Sequence, residues 1–182
     1  FMGEEWGETQ PFQFFVNYSD TRLIEAVRKG RKSEFSAFHN DSEPPDPQDI
    51  ETFNRSKLRW DSLLKEPHAT LLSYYKRLLK IRKECPALNQ LNRCNVKTYV
   101  YREDNCLVLH RWHENQQVVC MMNFSNQPKE LPIPESKLPW KIILDSSNVE
   151  WQGKDSSLAL NAHHNGILVE PESIQIYTHS DV

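Results

Sequence analysis

The sequence is poor in glycine and lacks the short motifs of nucleotide-binding and serine-nucleophile enzymes. It has five glycines among 182 residues. None of them forms a G-x-G-x-x-G, P-loop or G-x-S-x-G pattern. Nucleotide binding therefore has no support in the sequence, and we expect no cofactor.

Long apolar runs are missing as well. No stretch reaches the roughly 18 apolar residues that suggest a membrane-spanning helix, and the N-terminus lacks the basic start and apolar core of a signal peptide. Neither sign of charge dominates, because 22 Lys and Arg face 25 Asp and Glu for a net charge of -3. We therefore expect a cytoplasmic protein with no membrane or nucleic-acid partner.

The cysteines and histidines lack the spacing of metal ligands. The candidates are Cys85, Cys94, Cys106, Cys120, His110, His113, His163 and His164. No C-x-x-C pair occurs. His110 and His113 fall on opposite sides of a strand-like run, and the other two histidines are adjacent with no partner cysteine. We predict no metal site, and we expect Cys106 and Cys120 to be reduced thiols in a core.

What the sequence does contain is a change of hydrophobic period near Cys94. Before it the spacing is helical, and residues 20–35 predict a helix with Asp20 as N-cap. Gly30 in this segment predicts a kink, a close packing contact or the helix end. Residues 40–49 predict a loop because prolines restrict the backbone there, and one short helical turn is expected around residues 50–53.

The clearest helix prediction is the segment 67–84, which Pro86 terminates. Its repeating side chains, expected on one face, are Leu71, Leu72, Tyr75, Leu78, Leu79 and Arg82. The basic residues at its end are interpreted as a solvated helix terminus that complements the helix dipole.

After residue 95 the period changes to two. The predicted strands are VKTYVY (96–101), CLVLHRW (106–112), QVVCMMNF (117–124), PWKIILD (139–145) and ESIQIYT (172–178), with SSLAL (156–160) and GILVE (166–170) as shorter candidates. Short polar connections between the first three predict an antiparallel meander. The fold class is therefore α+β, with a helical section over 1–92 and an antiparallel β-sandwich domain over 93–182.

Acidic residues near the N-terminus raise the question of catalysis. A glycosidase needs two carboxyl groups about 5 to 10 Å apart across the scissile bond. Glu4 and Glu5 are sequence neighbours that diverge on a strand or a helix, so we interpret them as part of a polar loop rather than a catalytic pair. Trp6, Trp60 and Trp151 lie in loop-like contexts where exposure is an alternative to the favoured core packing.

Several segments together resemble a known family. FMGEEWGE resembles the eighth barrel strand and following loop of the α-amylase superfamily. The segments PFQFFVNYSD, EAVRKGRKSEF, PPDPQDIETFNRSKLRW and LLSYYKRLLKIRKECPAL are similar, in order and spacing, to the malto-oligosyltrehalose trehalohydrolase family. Residues 94–182 resemble, with weaker motifs, the β-sandwich that follows the barrel. At Asn17–Asp20 the chain reads NYSD, where the family pattern has a histidine before the acidic residue.

The resemblance implies a (β/α)8 barrel and hydrolysis of the α-1,4 bond that releases trehalose from maltooligosyl trehalose. It implies three essential carboxylates upstream of Phe1, so no catalytic residue is assigned in this chain. Residues 1–92 are then the end of the barrel, with residues 1–7 as its last strand and exit.

The resemblance leaves a modest role for the N-terminal segment. Glu4, Glu5 and Trp6 are candidates for substrate binding at the mouth of a sugar site. The expected partner is maltooligosaccharide or maltooligosyl trehalose in the longer enzyme, and the incomplete barrel edge predicts self-association. Residues 1–18 are expected to be irregular or packed on another copy. The isolated chain is expected to be inactive. The alternatives are a stand-alone α-glucan-binding module and a fragment of a related branching-type enzyme.

Overall fold

The helical period near the N-terminus gives one long helix, α1, over Thr21–Ala37. Its first turn is capped as predicted, because Asp20 Oδ1 accepts from the backbone N–H of Arg22 at 2.8 Å. Gly30 lies inside the helix, and nothing stands within 4 Å of the position a Cβ would take. The glycine therefore marks neither the helix end nor a close packing contact. The computed structural model describes residues 1–37, 43–136, 138–154 and 166–179.

The chain divides into two compact units, Phe1–Ala69 and Thr70–Val182. In the first unit α1 is followed by the short helix α2, Ile50–Arg55, which Asp49 caps, and this confirms the predicted helical turn. Trp60–Leu64 forms a 3-10 turn. The division between barrel end and sandwich after residue 92 remains a prediction about domains.

Residues 1–18 contain no strand. Glu4–Trp6 is a 3-10 turn and the following residues are extended without sheet pairing. Gly3 and Gly7 adopt left-handed conformations that favour this turn over an extended strand here. The assignment of residues 1–7 to the last strand of a barrel stays a prediction. The prediction of an irregular segment is confirmed.

Helix α3 spans His68–Glu84 and α4 spans Pro86–Asn89, so the break at Pro86 is confirmed. The buried face of α3 differs from the predicted one. Tyr74, Leu78, Ile81 and Cys85 pack into a core, whereas Leu79 is 61% exposed. The core-facing residues follow the spacing i, i+4, i+7 and i+11. The predicted face differs because it included Leu79 and Arg82.

Seven strands follow in the described part of the second unit. They are β1 Val96–Tyr101, β2 Cys106–His113, β3 Gln116–Asn123, β4 Lys129–Leu131, β5 Lys141–Asp145, β6 Ile167–Val169 and β7 Ser173–Thr178. All pairs are antiparallel, and the five-stranded sheet has the order β1-β2-β3-β7-β5 beside a two-stranded sheet of β4 and β6. The predicted meander and antiparallel sandwich are confirmed. The candidate strand over 156–160 lies outside the described residues.

The five-stranded sheet has a core on each face. On one face Val118, Cys120 and Ile176 pack with α3 and α4. On the other face Val119 and Met121 pack with residues of β4 and β6. Alternate residues of β3 thus serve both cores, which explains its nearly continuous apolar sequence.

A buried amide joins the two sheets. Asn123, at the end of β3, donates from Nδ2 to the carbonyl oxygens of Val169 and Gln127 at 3.0 and 2.8 Å. These bonds hold β6 against the large sheet, and they satisfy a polar group that burial would otherwise penalise.

Candidate functional site

The loop that carries the predicted site residues is shaped by two glycines. Gly3 and Gly7 have φ angles of 93° and 68°, and they bracket the turn Glu4–Trp6. A Cβ at Gly3 would stand 2.6 Å from the Cβ of Glu8. The loop therefore requires glycine at position 3, both for its backbone conformation and for the close approach of Glu8.

The two predicted acidic residues are exposed and have separate partners. Glu5 Oε2 accepts from the backbone N–H of Gly3 at 3.2 Å. Glu4 Oε2 lies 2.9 Å from the amino nitrogen of Phe1. These two hydrogen bonds are local, as expected for residues that shape a loop.

Trp6 is the buried anchor of this loop. Its side chain is 6% exposed, and its carbonyl oxygen accepts from Nδ1–H of His68 at 2.7 Å. Its ring packs on Trp60 with centroids 5.3 Å apart and an angle of 38° between planes. Its Nε1–H has no hydrogen-bond partner within the described ranges. The favoured core packing of Trp6 is therefore observed.

Trp60 is the aromatic residue that sequence reasoning did not select. It is 64% exposed, against the favoured expectation of packing. An indole ring held by a buried neighbour and open to solvent is a rigid surface suited to stacking on a sugar ring. The signal in the sequence was its loop-like context, which did not reveal its pairing with Trp6.

Glu8 is less exposed than Glu4 and Glu5. Its side chain is 6% exposed. It accepts from the backbone N–H groups of Thr9, Gln10 and Arg59 at 2.8, 2.8 and 2.7 Å, and Arg59 Nε lies 3.7 Å away. Burial acts to raise the pKa of Glu8, but these N–H donors and the Arg59 charge outweigh it and hold the pKa below its ordinary value. Glu8 is therefore a structural anion that fixes the loop.

A cavity of about 350 Å³ opens beside this loop. Glu4 and Gln10 supply polar groups to its wall, while Met2, Phe12 and Leu58 supply apolar surface. Such mixed lining suits a ligand with polar edges and an apolar face, as in a sugar ring. Of the predicted residues, Glu4 lines this cavity and Glu5 and Trp6 do not.

A second groove, about 600 Å³ in volume, lies between α1 and the proline-rich segment 43–47. Its charges are largely paired within the protein. Arg28 Nη2 and Nε lie 2.8 and 3.1 Å from the carboxylate of Asp46, and Lys32 pairs with Glu43. The hydrogen bond from Arg28 holds the pKa of Asp46 below its ordinary value. These ion pairs connect α1 to the proline-rich segment 43–47.

The described residues contain neither a metal-binding cluster nor a membrane-spanning helix. Within the described ranges no group of at least three His, Cys, Asp or Glu side chains is arranged to hold a metal ion. Of the helices in those ranges, none combines the length and apolar composition of a membrane span. His163 and His164 lie outside the described residues. Cys106 and Cys120 are buried and unpaired by disulfide, which confirms them as core thiols.

Known proteins resemble the chain over most of its length. No protein-family profile matches it. Malto-oligosyltrehalose trehalohydrolase of Rhizobium sp. (strain M-11) is 40% identical over 139 residues, which cover 76% of this chain and 23% of that protein. The enzyme of the same name from Arthrobacter ramosus is 47% identical over 87 residues, or 47% of this chain and 15% of that protein.

A solved structure has a similar fold over nearly the whole chain. A 1.4 Å crystal structure assigned as an alpha amylase from Salmonella typhimurium superposes with a TM-score of 0.73 and 26% identity, covering 98% of this chain and 27% of that one. The chain thus spans less than a quarter of the length of the two curated relatives named above. Its curated homologues are malto-oligosyltrehalose trehalohydrolases, and its structural neighbours are α-amylase family enzymes.

Proposed function

We propose that this chain is the C-terminal portion of an enzyme that hydrolyses the α-1,4 bond next to the terminal trehalosyl unit of maltooligosyl trehalose and releases trehalose. The observation that carries the proposal is the 40% identity over 139 residues with the Rhizobium trehalohydrolase. The proposed location of the enzyme is the cytoplasm.

The hydrogen bonds of Glu5 and Glu8 support a non-catalytic role for the N-terminal loop. A retaining glycosidase uses two carboxyl groups about 5 to 5.5 Å apart, one of them free to attack the sugar. Glu8 is occupied by three backbone N–H groups, and Glu5 is held by the N–H of Gly3. We therefore place the catalytic carboxylates in the remainder of the longer enzyme.

Glu4, Glu5 and Trp6 are proposed to shape a sugar-binding surface. Glu4 lines the 350 Å³ cavity, Glu5 holds the turn at Gly3, and Trp6 supports the exposed ring of Trp60. Aromatic faces and carboxylates are the groups that hold sugar rings and hydroxyls. The proposed ligand is a malto-oligosaccharide chain.

Trehalose release tests the assignment. The protein expressed from the complete coding sequence should release trehalose from maltooligosyl trehalose, and the 182-residue chain alone should release none. Trehalose formed by the purified 182-residue chain would show that the catalytic carboxylates are not elsewhere. A complete protein that cleaves malto-oligosaccharides but leaves maltooligosyl trehalose intact would replace this activity by another of the α-amylase family.

Sugar binding is tested separately. Tryptophan fluorescence of the chain is followed during titration with malto-oligosaccharides up to millimolar concentration. We expect a saturable change that Trp60→Ala abolishes and Phe124→Ala, at another exposed aromatic residue, leaves intact. Identical titrations for the wild type and Trp60→Ala would remove Trp60 from the site, and a flat wild-type titration would leave the surface a purely structural role.

Exposed apolar side chains in the first unit support the proposed self-association. They include Phe1, Met2, Phe12, Phe14, Trp60 and Leu64. Exposed apolar surface of this kind favours association. Scattering should show a molecular mass that rises with protein concentration, and a strictly monomeric chain at all concentrations would contradict it.

The stand-alone glucan-binding module is the weaker alternative. It requires a line of exposed aromatic rings on the sandwich. In the described part of the second unit, Phe124 is the one aromatic residue among the exposed large apolar side chains. A single ring does not make an extended platform for a glucan chain.

A further inference from the structure

Two histidines and two tryptophans lie together at one end of the five-stranded sheet. This histidine–tryptophan cluster consists of His110, Trp112, Trp140 and His179. The ring centroids of His110 lie 5.3 Å from Trp112 and 6.3 Å from Trp140, and those of Trp140 and His179 lie 5.0 Å apart. The cluster thus links β2, the residue before β5 and the residue after β7.

His110 also joins neighbouring strands through a hydrogen bond. Its Nε2 lies 2.7 Å from Oε1 of Gln117 on β3, and the imidazole N–H is the donor because the amide oxygen only accepts. Burial is the main influence on the ring and lowers the pKa of His110, while the bond to Gln117 acts in the opposite direction. A neutral ring is therefore favoured at this place.

His179 has the more unusual environment. It is 7% exposed, and within the described ranges neither ring nitrogen has a hydrogen-bond partner. Its ring stands at 67° to that of Trp140, whose Nε1–H donates to the carbonyl oxygen of Pro134 at 2.9 Å. Buried polar groups without hydrogen-bond partners are uncommon in folded proteins, so the burial of this imidazole needs an explanation.

The ionisable groups around His110 do not compensate a positive charge. Lys97 on β1 lies opposite His110 in the strand register, and both Lys97 and His179 act to lower the pKa of His110. Tyr177 of β7 stays neutral, because burial raises its pKa to about 12, and its hydroxyl donates to Gln175. Protonation of His110 therefore adds a cation beside a cation and beside a second imidazole.

We propose that the histidine–tryptophan cluster is a proton-sensitive switch: neutral His110 holds β2 and β3 together against Trp140 and His179, and protonation of His110 loosens this end of the sheet. The folded-state pKa of His110 lies below its unfolded value, about 6.5. The unfolded chain therefore binds more protons in the interval between the two values. The stabilisation is fully present above the unfolded pKa and is lost as pH falls from there through the folded pKa.

Urea unfolding of the 182-residue chain at pH 7.5 and pH 5.5 tests the proposal. We expect the unfolding midpoint of the wild type to fall at the lower pH, and the fall to shrink by more than half in His110→Gln. His113→Gln is the matched control, since His113 lies on the same strand beside Glu114 and its substitution should leave the full fall. An equal fall in the wild type and His110→Gln, or no fall in the wild type, would overturn the proposal.

A second measurement does not depend on how well a variant folds. Imidazole resonances of the wild type are followed by nitrogen NMR between pH 8 and pH 4. The His110 ring should titrate below about 6.5, and resonances of Trp112 and Trp140 should shift with the same midpoint. A His110 midpoint at or above the value of free histidine, or tryptophan resonances that stay unchanged while His110 titrates, would refute the switch.

Discussion

Trp6 and Trp60 form an asymmetric pair: their rings lie 5.3 Å apart, yet one is buried and the other is open to solvent. Replacing each ring by alanine should therefore have a different effect on stability. Trp6→Ala removes a buried indole and should lower the free energy of unfolding by about 3 kcal/mol. Trp60→Ala should cost less than about 1 kcal/mol. Urea unfolding followed by circular dichroism measures both, and equal losses would show that Trp60 also acts as core.

Acid should weaken the loop at Glu8. Its pKa is lowered in the folded state from 4.5, so its stabilisation is present above that value and is lost as pH falls through the folded pKa. We expect the thermal midpoint of the wild type to drop between about pH 5 and pH 3, and the drop to be smaller in Glu8→Gln. Glu103→Gln, at an exposed position, serves as the control. A drop that is the same in Glu8→Gln and the wild type would exclude this role.

Two glycines should respond in opposite directions to the same change. Gly30 lies inside α1 with open space around it, so Gly30→Ala should stabilise the helix by about 0.5 to 1 kcal/mol. Gly3→Ala meets both a positive φ and the Cβ of Glu8, and it should destabilise the loop. Thermal unfolding compares the two variants. A destabilised Gly30→Ala would reveal a packing constraint on that glycine.

Gln116 should prove to be a buried link between β3 and α4. Its Oε1 accepts from the backbone N–H of Ala87 at 2.9 Å and from Cys85 Sγ at 3.1 Å. Gln116→Ala leaves a buried N–H without this acceptor and should cost about 1 to 3 kcal/mol. Gln127→Ala, at an exposed side chain, should be nearly neutral. Amide exchange of Ala87 should accelerate in Gln116→Ala alone, and unchanged protection would contradict the link.

The strands were predictable because their signal is local. The segment 96–101 was bounded correctly, and β2 and β3 each differ from the prediction by a residue at the ends. Polar connections and a period of two suffice to mark an antiparallel meander. In contrast, the pairing of β4 with β6 joins segments distant in sequence, and no local pattern encodes such a partner.

The buried face of α3 and the exposure of Trp60 were not predictable in the same way. Apolar residues occur on several sides of α3, so more than one face fits the helical period. Packing against the rest of the core determines that Tyr74, Leu78 and Ile81 are on the inner face. For Trp60, the ring's position depends on Trp6, which lies more than fifty residues earlier. Side-chain exposure in a loop is set by tertiary contacts rather than by composition.

The strand order β1-β2-β3-β7-β5 has a consequence for the order of assembly. β1, β2 and β3 join through short hairpins and can pair as soon as they leave the ribosome. β5 cannot do so, because its described partner in the sheet, β7, is made later. We therefore expect nascent chains that stop before β7 to expose β3 and β5 as unpaired edges. The sheet can be completed only after Ser173–Thr178 has been synthesised.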